Sequence, residues 1–197
     1  MEQNSQVRAN GSDQAWELLE SQIRQCYGRA VYTHKVHEKS ADLYLSRLSV
    51  AKFIQIFLSA LTTGGILGIL FSDGSKLLAI LTAIAATVQF FLNTYTKEYS
   101  LGSMVEKHAS TAVKVWAVRE NYLSLLSDIS TRQITLEEAR KNRERLQQEL
   151  LGIYERAPRT NEKAYKAAQK ALQLNEEMTF SDSEIDAFLP DILRRSD

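Results

Sequence analysis

FIQIFLSALTTGGILGILF (53–71) and LLAILTAIAATVQFFL (77–92) are two apolar stretches that contain no charged residue. The short segment between them holds Asp73, followed by glycine, and Lys76. An Asp-Gly pair is a strong turn signal. A transmembrane helix needs roughly 20 apolar residues to cross a hydrocarbon layer about 30 Å thick. The sequence therefore predicts a transmembrane helical hairpin with spans at about 53–71 and 77–95.

The remaining composition limits the class of protein. Of 197 residues, 24 are Lys or Arg and 24 are Asp or Glu, so the net charge of zero argues against a nucleic-acid-binding protein. The one cysteine, Cys26, excludes an intrachain disulfide and fits a reducing compartment. The polar N-terminal segment lacks the apolar region of a secretory signal. Phosphate-loop, metalloprotease and CxxC motifs are missing from the sequence, which predicts neither an enzyme nor a bound cofactor or metal.

Apolar residues recur at helical spacing on both sides of the hairpin. Ser12 and Asp13 are candidate N-caps for a first helix that continues into the membrane, and 1–11 is expected to be disordered. The second span is expected to continue as one helix to about Ile129. The predicted apolar face of its cytosolic half comprises Val105, Ala109, Ala112, Trp116, Leu123 and Leu126.

Two capping boxes predict further helices near the C-terminus. The segments 135–138 (TLEE) and 181–184 (SDSE) each place a hydroxyl and a carboxylate where they bond free amides at a helix start. Pro158 ends the helix that follows the first box, and Asn161 starts another. The sequence thus predicts an all-α membrane protein with two to three cytosolic helices beyond the hairpin.

Positive charge is concentrated at the base of the hairpin, where seven cations flank the spans, whereas the tip has only Lys76. Because Lys and Arg favour the cytoplasmic side, both termini are expected in the cytoplasm. We expect a single domain over 12–193, with a cytosolic body formed by 12–52 and 97–193. The alternative is a soluble hairpin buried in a large core. The seven cations are Lys35, Lys39, Arg47, Lys52, Lys97, Lys107 and Lys114.

Each predicted span also carries a polar stripe, because residues three or four apart share a helix face. Residues Ala60, Gly64 and Gly68 lie opposite the first stripe, and small residues at this spacing favour close helix packing, here within the hairpin. The stripes would then line a water-filled path between several copies, since two helices cannot enclose a pore. Alternatively, the polar side chains only hydrogen-bond between helices. The candidate pore-lining residues are Lys52, Gln55, Ser59 and Thr62, and Thr82, Gln89, Asn93 and Thr96.

Two further groups of residues are candidates for function. Antiparallel pairing would bring His34, His37 and His108 into one layer below the membrane, either as a metal or pH-sensing site or as hydrogen-bonded core residues. The C-terminal segment is a candidate surface for partner docking, although such segments commonly fold back onto the core. Its apolar residues are Ile185, Phe188, Leu189 and Ile192.

Six segments, in this order and spacing, resemble the SLATT family of bacterial two-transmembrane effectors associated with nucleotide-sensing and nucleotide-synthesising conflict systems. The resemblance covers about residues 12–193. The segments are YTHKVHEKSADLY (32–44), LSALTTGG (58–65), FLNTYTKEYSLG (91–102), HASTAVKVWAVRENYLSLLSDI (108–129), APRTNEKAYKAAQKAL (157–172) and TFSDSEIDAFLP (179–190).

This resemblance implies a membrane effector of antiphage immunity in the bacterial inner membrane. Such a protein stays idle until a neighbouring sensor or nucleotide synthase signals infection, then acts as an oligomeric pore in the lipid bilayer that arrests or kills the cell. The sequence contains no recognisable nucleotide-binding domain, so a separate sensor and direct ligand binding both remain open. Two other classes stay as alternatives: a membrane scaffold that recruits partners without opening, and a soluble helical interaction protein.

Overall fold

The computed structural model describes the backbone of residues 2–71 and 75–195, and the side chains of 13–71, 75–190 and 192–195. Every regular element in these residues is helical, which confirms the predicted all-α fold. The predicted turn at Asp73 lies outside the described residues. The elements are α1 (Glu2–Phe71), α2 (Lys76–Glu98), α3 (Leu101–Ser130), α4 (Leu136–Tyr154), α5 (Glu162–Gln173), α6 (Asp182–Phe188) and a 3₁₀ turn at Asp191–Leu193.

Helix α1 is one uninterrupted helix of 70 residues, about 105 Å long at 1.5 Å per residue. It contains no proline, and an isolated glycine such as Gly28 costs a helix only about 1 kcal/mol. The backbone is helical from Glu2, whereas the sequence suggested disorder over 1–11 and a start near Asp13. The same rigid element therefore joins the charged body of the protein to the first apolar stretch.

Helices α2 and α3 pack antiparallel to α1, but they are not one helix as the sequence predicted. The chain breaks at Tyr99–Ser100, where Ser100 adopts a left-handed backbone with φ of 44°. No proline or glycine causes this break. It coincides with burial of the next residue, Leu101, which is 2% exposed. The break thus lies at the base of the hairpin, where tertiary packing begins, within a helix-compatible local sequence.

The core of the helical body lies between α1, α3 and α4. The predicted face of α3 is correct at Ala112, which is buried, and at Leu126, which packs against the core. It is wrong at Trp116 and Leu123, which are half exposed while the residues before them are fully buried. The buried residues are Leu19, Ile23, Cys26 and Ala30 on α1, Val115, Val118, Tyr122, Leu125 and Ile129 on α3, and Ala139 and Leu146 on α4.

The capping signals act as predicted. Thr135 and Ser181 each form a complete capping box, with Glu138 and Glu184 respectively, and the Asn161 side chain accepts from the Ala164 amide over 2.9 Å. Each carboxylate has its pKa lowered by hydrogen bonds from its N-cap residue, first from the backbone amide and then from the hydroxyl. Helix α5 packs on α1 through the buried side chains Ala164 and Ala168.

Candidate functional site

The apolar stretches lie on the outside of the protein. Among the described residues, two helical stretches are long and apolar enough to span a membrane, and in each the most apolar window is only 6% buried. The expectation of a hairpin buried in a soluble core is therefore not met. Monomeric soluble proteins rarely expose an apolar surface of this extent, so the two helices indicate a membrane protein.

The contact between α1 and α2 follows alternating steps of four and three residues, the spacing of an antiparallel coiled coil. Over residues 51–65, the less exposed residues of α1 are interleaved with more exposed ones, and α2 shows the same alternation. These residues therefore form the seam between the two spans. On α1 they are Ala51, Gln55, Leu58, Thr62 and Gly65, and on α2 they are Leu78, Thr82, Ala85, Gln89, Leu92 and Thr96.

Members of the two predicted polar stripes meet across this seam. The Gln55 amide nitrogen donates to the Thr96 hydroxyl over 3.2 Å, and the Gln89 amide nitrogen donates to the Ser59 hydroxyl over 2.7 Å. Because hydrocarbon offers no partners to polar groups, such pairs satisfy each other's hydrogen-bonding groups, although Ser59 itself is exposed. In this arrangement the hairpin holds part of its polar surface between its own helices.

The remaining members of the stripes make local contacts or lie outward. The hydroxyls of Thr62 and Thr82 each donate to the carbonyl four residues earlier, at 2.8 Å. Lys52 and Asn93 are exposed. The predicted pore-lining set is therefore divided between the seam and the outer surface of a single copy.

The small residues that contact α2 are not all the ones predicted for helix packing. Ala60 and Gly64 are exposed on the outer side, and a Cβ at Gly64 would meet no atom within 4 Å. A Cβ at Gly68 would lie 3.0 Å from the Leu78 Cδ2 atom, whereas one at Gly65 would collide with the Thr82 hydroxyl. Of the glycines on the described part of α1, Gly65 is therefore the one whose Cβ would come nearest to α2. Sequence reasoning missed it, although it continues the first polar stripe by one further step of three residues.

Just below the hairpin, a buried histidine pair joins α1 to α3. The Nδ1 atoms of His37 and His108 are 3.0 Å apart, and one ring donates its Nδ1–H to the other. The ring of Tyr44 stacks on His108 at a centroid distance of 5.5 Å. His34 lies one turn away, and its Nδ1 is 3.0 Å from the Ala112 carbonyl oxygen. The predicted histidine layer therefore exists as packed core residues. No cluster of three or more metal-binding side chains occurs among the residues whose side chains are described.

The histidine pair is held in its neutral form. Burial, followed by the charges that His108 and His34 would carry, lowers the pKa of His37 to about 4. Burial also lowers the pKa of His108. A proton added here enters a buried contact between the two longest elements, so protonation opposes packing of α1 on α3.

An ionic cluster ties the loop after α5 to α1. The Lys35 ammonium lies 2.9 Å from a Glu38 carboxylate oxygen and 2.8 Å from one of Glu177, and Lys39 approaches Glu177 at 3.2 Å. Hydrogen bonds from Lys35 and Lys39 lower the pKa of Glu177 to about 2. Burial lowers the pKa of Lys35, but the hydrogen bonds to Glu177 and Glu38 outweigh it and raise the pKa.

Beyond this cluster, the C-terminal segment makes little contact with the body. Helix α6 has no buried residue, Phe188 is 83% exposed and Ile192 is 90% exposed. Ile185 is also exposed, and Leu189 is partly buried. The segment carries the apolar residues predicted for docking on a largely open surface.

Residues 19–184 match the family model described as SMODS and SLOG-associating 2TM effector domain family 4. This range includes both apolar helices, the histidine pair, the ionic cluster and the start of α6. No curated protein and no solved structure matches the chain.

Proposed function

The chain belongs to the family of SMODS and SLOG-associating two-transmembrane effector domains, and we propose that it is a pore-forming membrane effector of a bacterial antiphage system. The family is associated with antiphage and conflict systems. In this proposal the hairpin sits in the inner membrane with both termini in the cytoplasm. Several copies assemble when a nucleotide signal or a partner sensor, encoded nearby, reports infection, and ions then leak until growth stops.

The observation that carries the proposal is the pairing of the two polar stripes inside the hairpin. The bonds from Gln55 to Thr96 and from Gln89 to Ser59 satisfy polar groups that lipid would leave without partners. Intramembrane polar residues commonly mark water-filled pathways. We interpret the paired state as the closed form, from which rotation of the helices would turn the stripes toward a water-filled centre.

The long helices provide the mechanical connection for this change. Because α1 runs without a break from the cytosolic core into the membrane, a displacement of the body moves the first span with it. The α2–α3 junction at Tyr99–Ser100 supplies the hinge on the other side. A signal shifts the equilibrium only if it binds the open form better than the closed one. The exposed residues Phe188 and Ile192 are the surface that we propose for a partner sensor.

The proposal is tested by leakage and membrane potential. The purified protein is placed in liposomes loaded with a fluorescent dye, and the same variants are expressed with their neighbouring genes while a potential-sensitive dye is imaged. Gln55→Leu combined with Gln89→Leu removes both seam amides and is expected to abolish leakage and depolarisation. The matched control is Thr87→Val with Thr94→Val, since both hydroxyls face outward and bond only their own helix.

Unchanged leakage in the seam variant, or loss of leakage in the control, contradicts the proposed pore path. A membrane scaffold is the alternative function, and the largely exposed apolar segment around Phe188 is the observation that favours it. A scaffold predicts normal membrane potential and growth under every trigger, together with loss of partner recruitment when this segment is removed.

A further inference from the structure

We propose that the cleft between α3 and the C-terminal end of α4 binds a small phosphorylated molecule. The cleft has a volume of about 370 Å³, which lies within the usual range for small-molecule sites. The side chains that define its chemistry are Lys107, Ser110 and Lys114 on α3, and Arg156 immediately after α4.

The charge of the cleft is strongly unbalanced in a protein whose net charge is zero. Three cations line it, and within the described residues Lys107, Lys114 and Arg156 form no ion pair. The single acidic residue of the lining, Glu149, lies 3.7 Å from the Arg145 guanidinium on its own helix. The lining thus carries three exposed cations against one carboxylate, an excess of positive charge that attracts a multiply charged anion.

The arrangement of donors fits phosphate oxygens. Lys107 and Lys114 are seven residues apart on α3, about two helical turns, so their ammonium groups lie on the same face. Arg156 approaches from α4 with a planar guanidinium, which suits bidentate contact with a phosphoryl group. The Ser110 hydroxyl adds a neutral donor between the lysines.

The wall of the cleft that α4 forms includes a glycine. Gly152 lies on the last turn of α4 in the lining, and a Cβ at this position would meet no atom within 4 Å. A methyl group there would therefore be tolerated without a clash. The space at Gly152 is where the body of a ligand would sit beside its phosphoryl group.

The distance of the cleft from the proposed membrane surface favours a water-soluble ligand over a lipid headgroup. Lys107 lies six residues into α3, about 9 Å along that helix, and the break at Tyr99–Ser100 separates α3 from Lys97, the last cation of α2. Each headgroup layer of a bilayer is about 5–8 Å thick. The chemistry recognised is the same in both cases, so the two sources are separated by experiment.

Binding here would act on the hairpin if the proposed pore function holds. A ligand held jointly by Arg156 and the α3 lysines draws the end of α4 toward α3, and α3 is joined to α2 through Tyr99–Ser100 alone. The cleft is therefore placed to convert a phosphorylated signal into movement of the second span. The binding site itself does not depend on that function.

The test measures binding to the full-length protein in nanodiscs. With neutral phosphatidylcholine, ATP and inorganic tripolyphosphate are titrated by calorimetry at low salt. In parallel, discs that contain phosphatidic acid are analysed by native mass spectrometry for retained lipid. The cleft variants are Lys107→Gln with Lys114→Gln, and Gly152→Leu, which fills the space while keeping every charge. The control, Lys141→Gln with Lys163→Gln, removes two exposed lysines that do not line the cleft.

We expect saturable binding that both cleft variants weaken about tenfold or more, and that the control leaves unchanged, because charge-assisted contacts dominate such sites. Binding of ATP or tripolyphosphate in neutral discs identifies a soluble ligand, and cleft-dependent retention of phosphatidic acid alone identifies a lipid. The proposal is overturned if neither probe binds through the cleft or if the control weakens binding equally. Leakage is measured separately: a protein that binds but never leaks refutes the pore and leaves the site intact.

Discussion

Gln89 on α2 donates a hydrogen bond to the hydroxyl of Ser59 on α1, and the two atoms are 2.7 Å apart. The bond crosses the seam of the hairpin in a region where the surrounding surface is apolar. Interhelical hydrogen bonds in membranes contribute on average about 0.6 kcal/mol, with values up to about 1.7 kcal/mol. This pair is therefore expected to stabilise the hairpin modestly, as the proposed opening would require.

We expect a double-mutant cycle of Gln89→Leu and Ser59→Ala to give a coupling free energy of about 0.6–1.7 kcal/mol. Unfolding by SDS, in mixed micelles and followed by circular dichroism, measures it. A parallel cycle of Thr87→Ala and Ser59→Ala serves as the control and should show no coupling, because the Thr87 hydroxyl bonds the Ala83 carbonyl. Equal coupling in the two cycles would contradict the seam.

Adjacent glycines give a sharper test of the helix contact. Gly65→Ala is expected to force the spans apart, because the new methyl group collides with the Thr82 side chain. Overpacking of this kind typically costs about 1–3 kcal/mol. Gly64→Ala is the matched control and should be neutral or slightly stabilising, since its methyl group meets nothing within 4 Å. Distances between spin labels on the two spans measure the separation, and a larger effect at position 64 would reverse the assignment.

The hairpin was predictable from sequence, but the face by which its helices pack was not. A charge-free run of the length of 53–71 is sufficient to predict a span. It is harder to predict which face of α1 forms the seam, because Gly64 and Gly65 are adjacent and each fits a small-residue pattern. The face that packs is the one that lets the amides of Gln55 and Gln89 bond the opposite helix. Those bonds depend on how two helices are placed together, which the pattern within one helix does not specify.

The same limit explains the errors on α3. Apolar residues occur there in adjacent pairs, such as Val115 with Trp116 and Tyr122 with Leu123, so two neighbouring faces satisfy helical periodicity equally well. The break at Ser100 has no sequence signal at all. The capping boxes, by contrast, were correct because their hydrogen bonds are local and follow from spacing alone.

The histidine pair predicts a pH dependence of stability. The pKa of His37 falls to about 4 in the folded protein, against an ordinary value of 6.5, and the pKa of His108 is also lowered. The unfolded chain therefore binds more protons in this interval, and the free energy of unfolding decreases as pH falls below about 6.5. The full effect of His37 is on the order of 3 kcal/mol, reached near its folded pKa.

Thermal unfolding in detergent between pH 7.5 and 5 measures this dependence, in a range where Glu177 remains ionised. His37→Gln removes the titrating group and keeps a side chain that can bond His108, so its unfolding temperature should depend less on pH than that of the unmodified protein. If the unfolding temperatures of the two proteins changed equally with pH, the buried histidine pair would not be the cause of the pH dependence.

The last prediction concerns the ionic cluster that attaches the loop after α5 to α1. Glu177→Gln removes the charge that Lys35 and Lys39 share, so we expect the segment 174–181 to detach from α1. Hydrogen exchange should become faster at the Glu177 position, whose backbone amide bonds the Ala171 carbonyl over 2.9 Å. Glu162→Gln is the control, because its pair with Lys166 is exposed and local to α5.

The same ionic cluster predicts that acid weakens the attachment of the loop to α1. Because the folded pKa of Glu177 is about 2 and its ordinary value is 4.5, its stabilising contribution is present above about pH 4.5 and is lost as pH falls toward 2. Exchange in 174–181 of the unmodified protein should approach that of Glu177→Gln over this interval, after correction for the intrinsic rate. Slow exchange that persists in Glu177→Gln would show that Met178, whose sulfur accepts from Arg119, holds the loop without the ionic cluster.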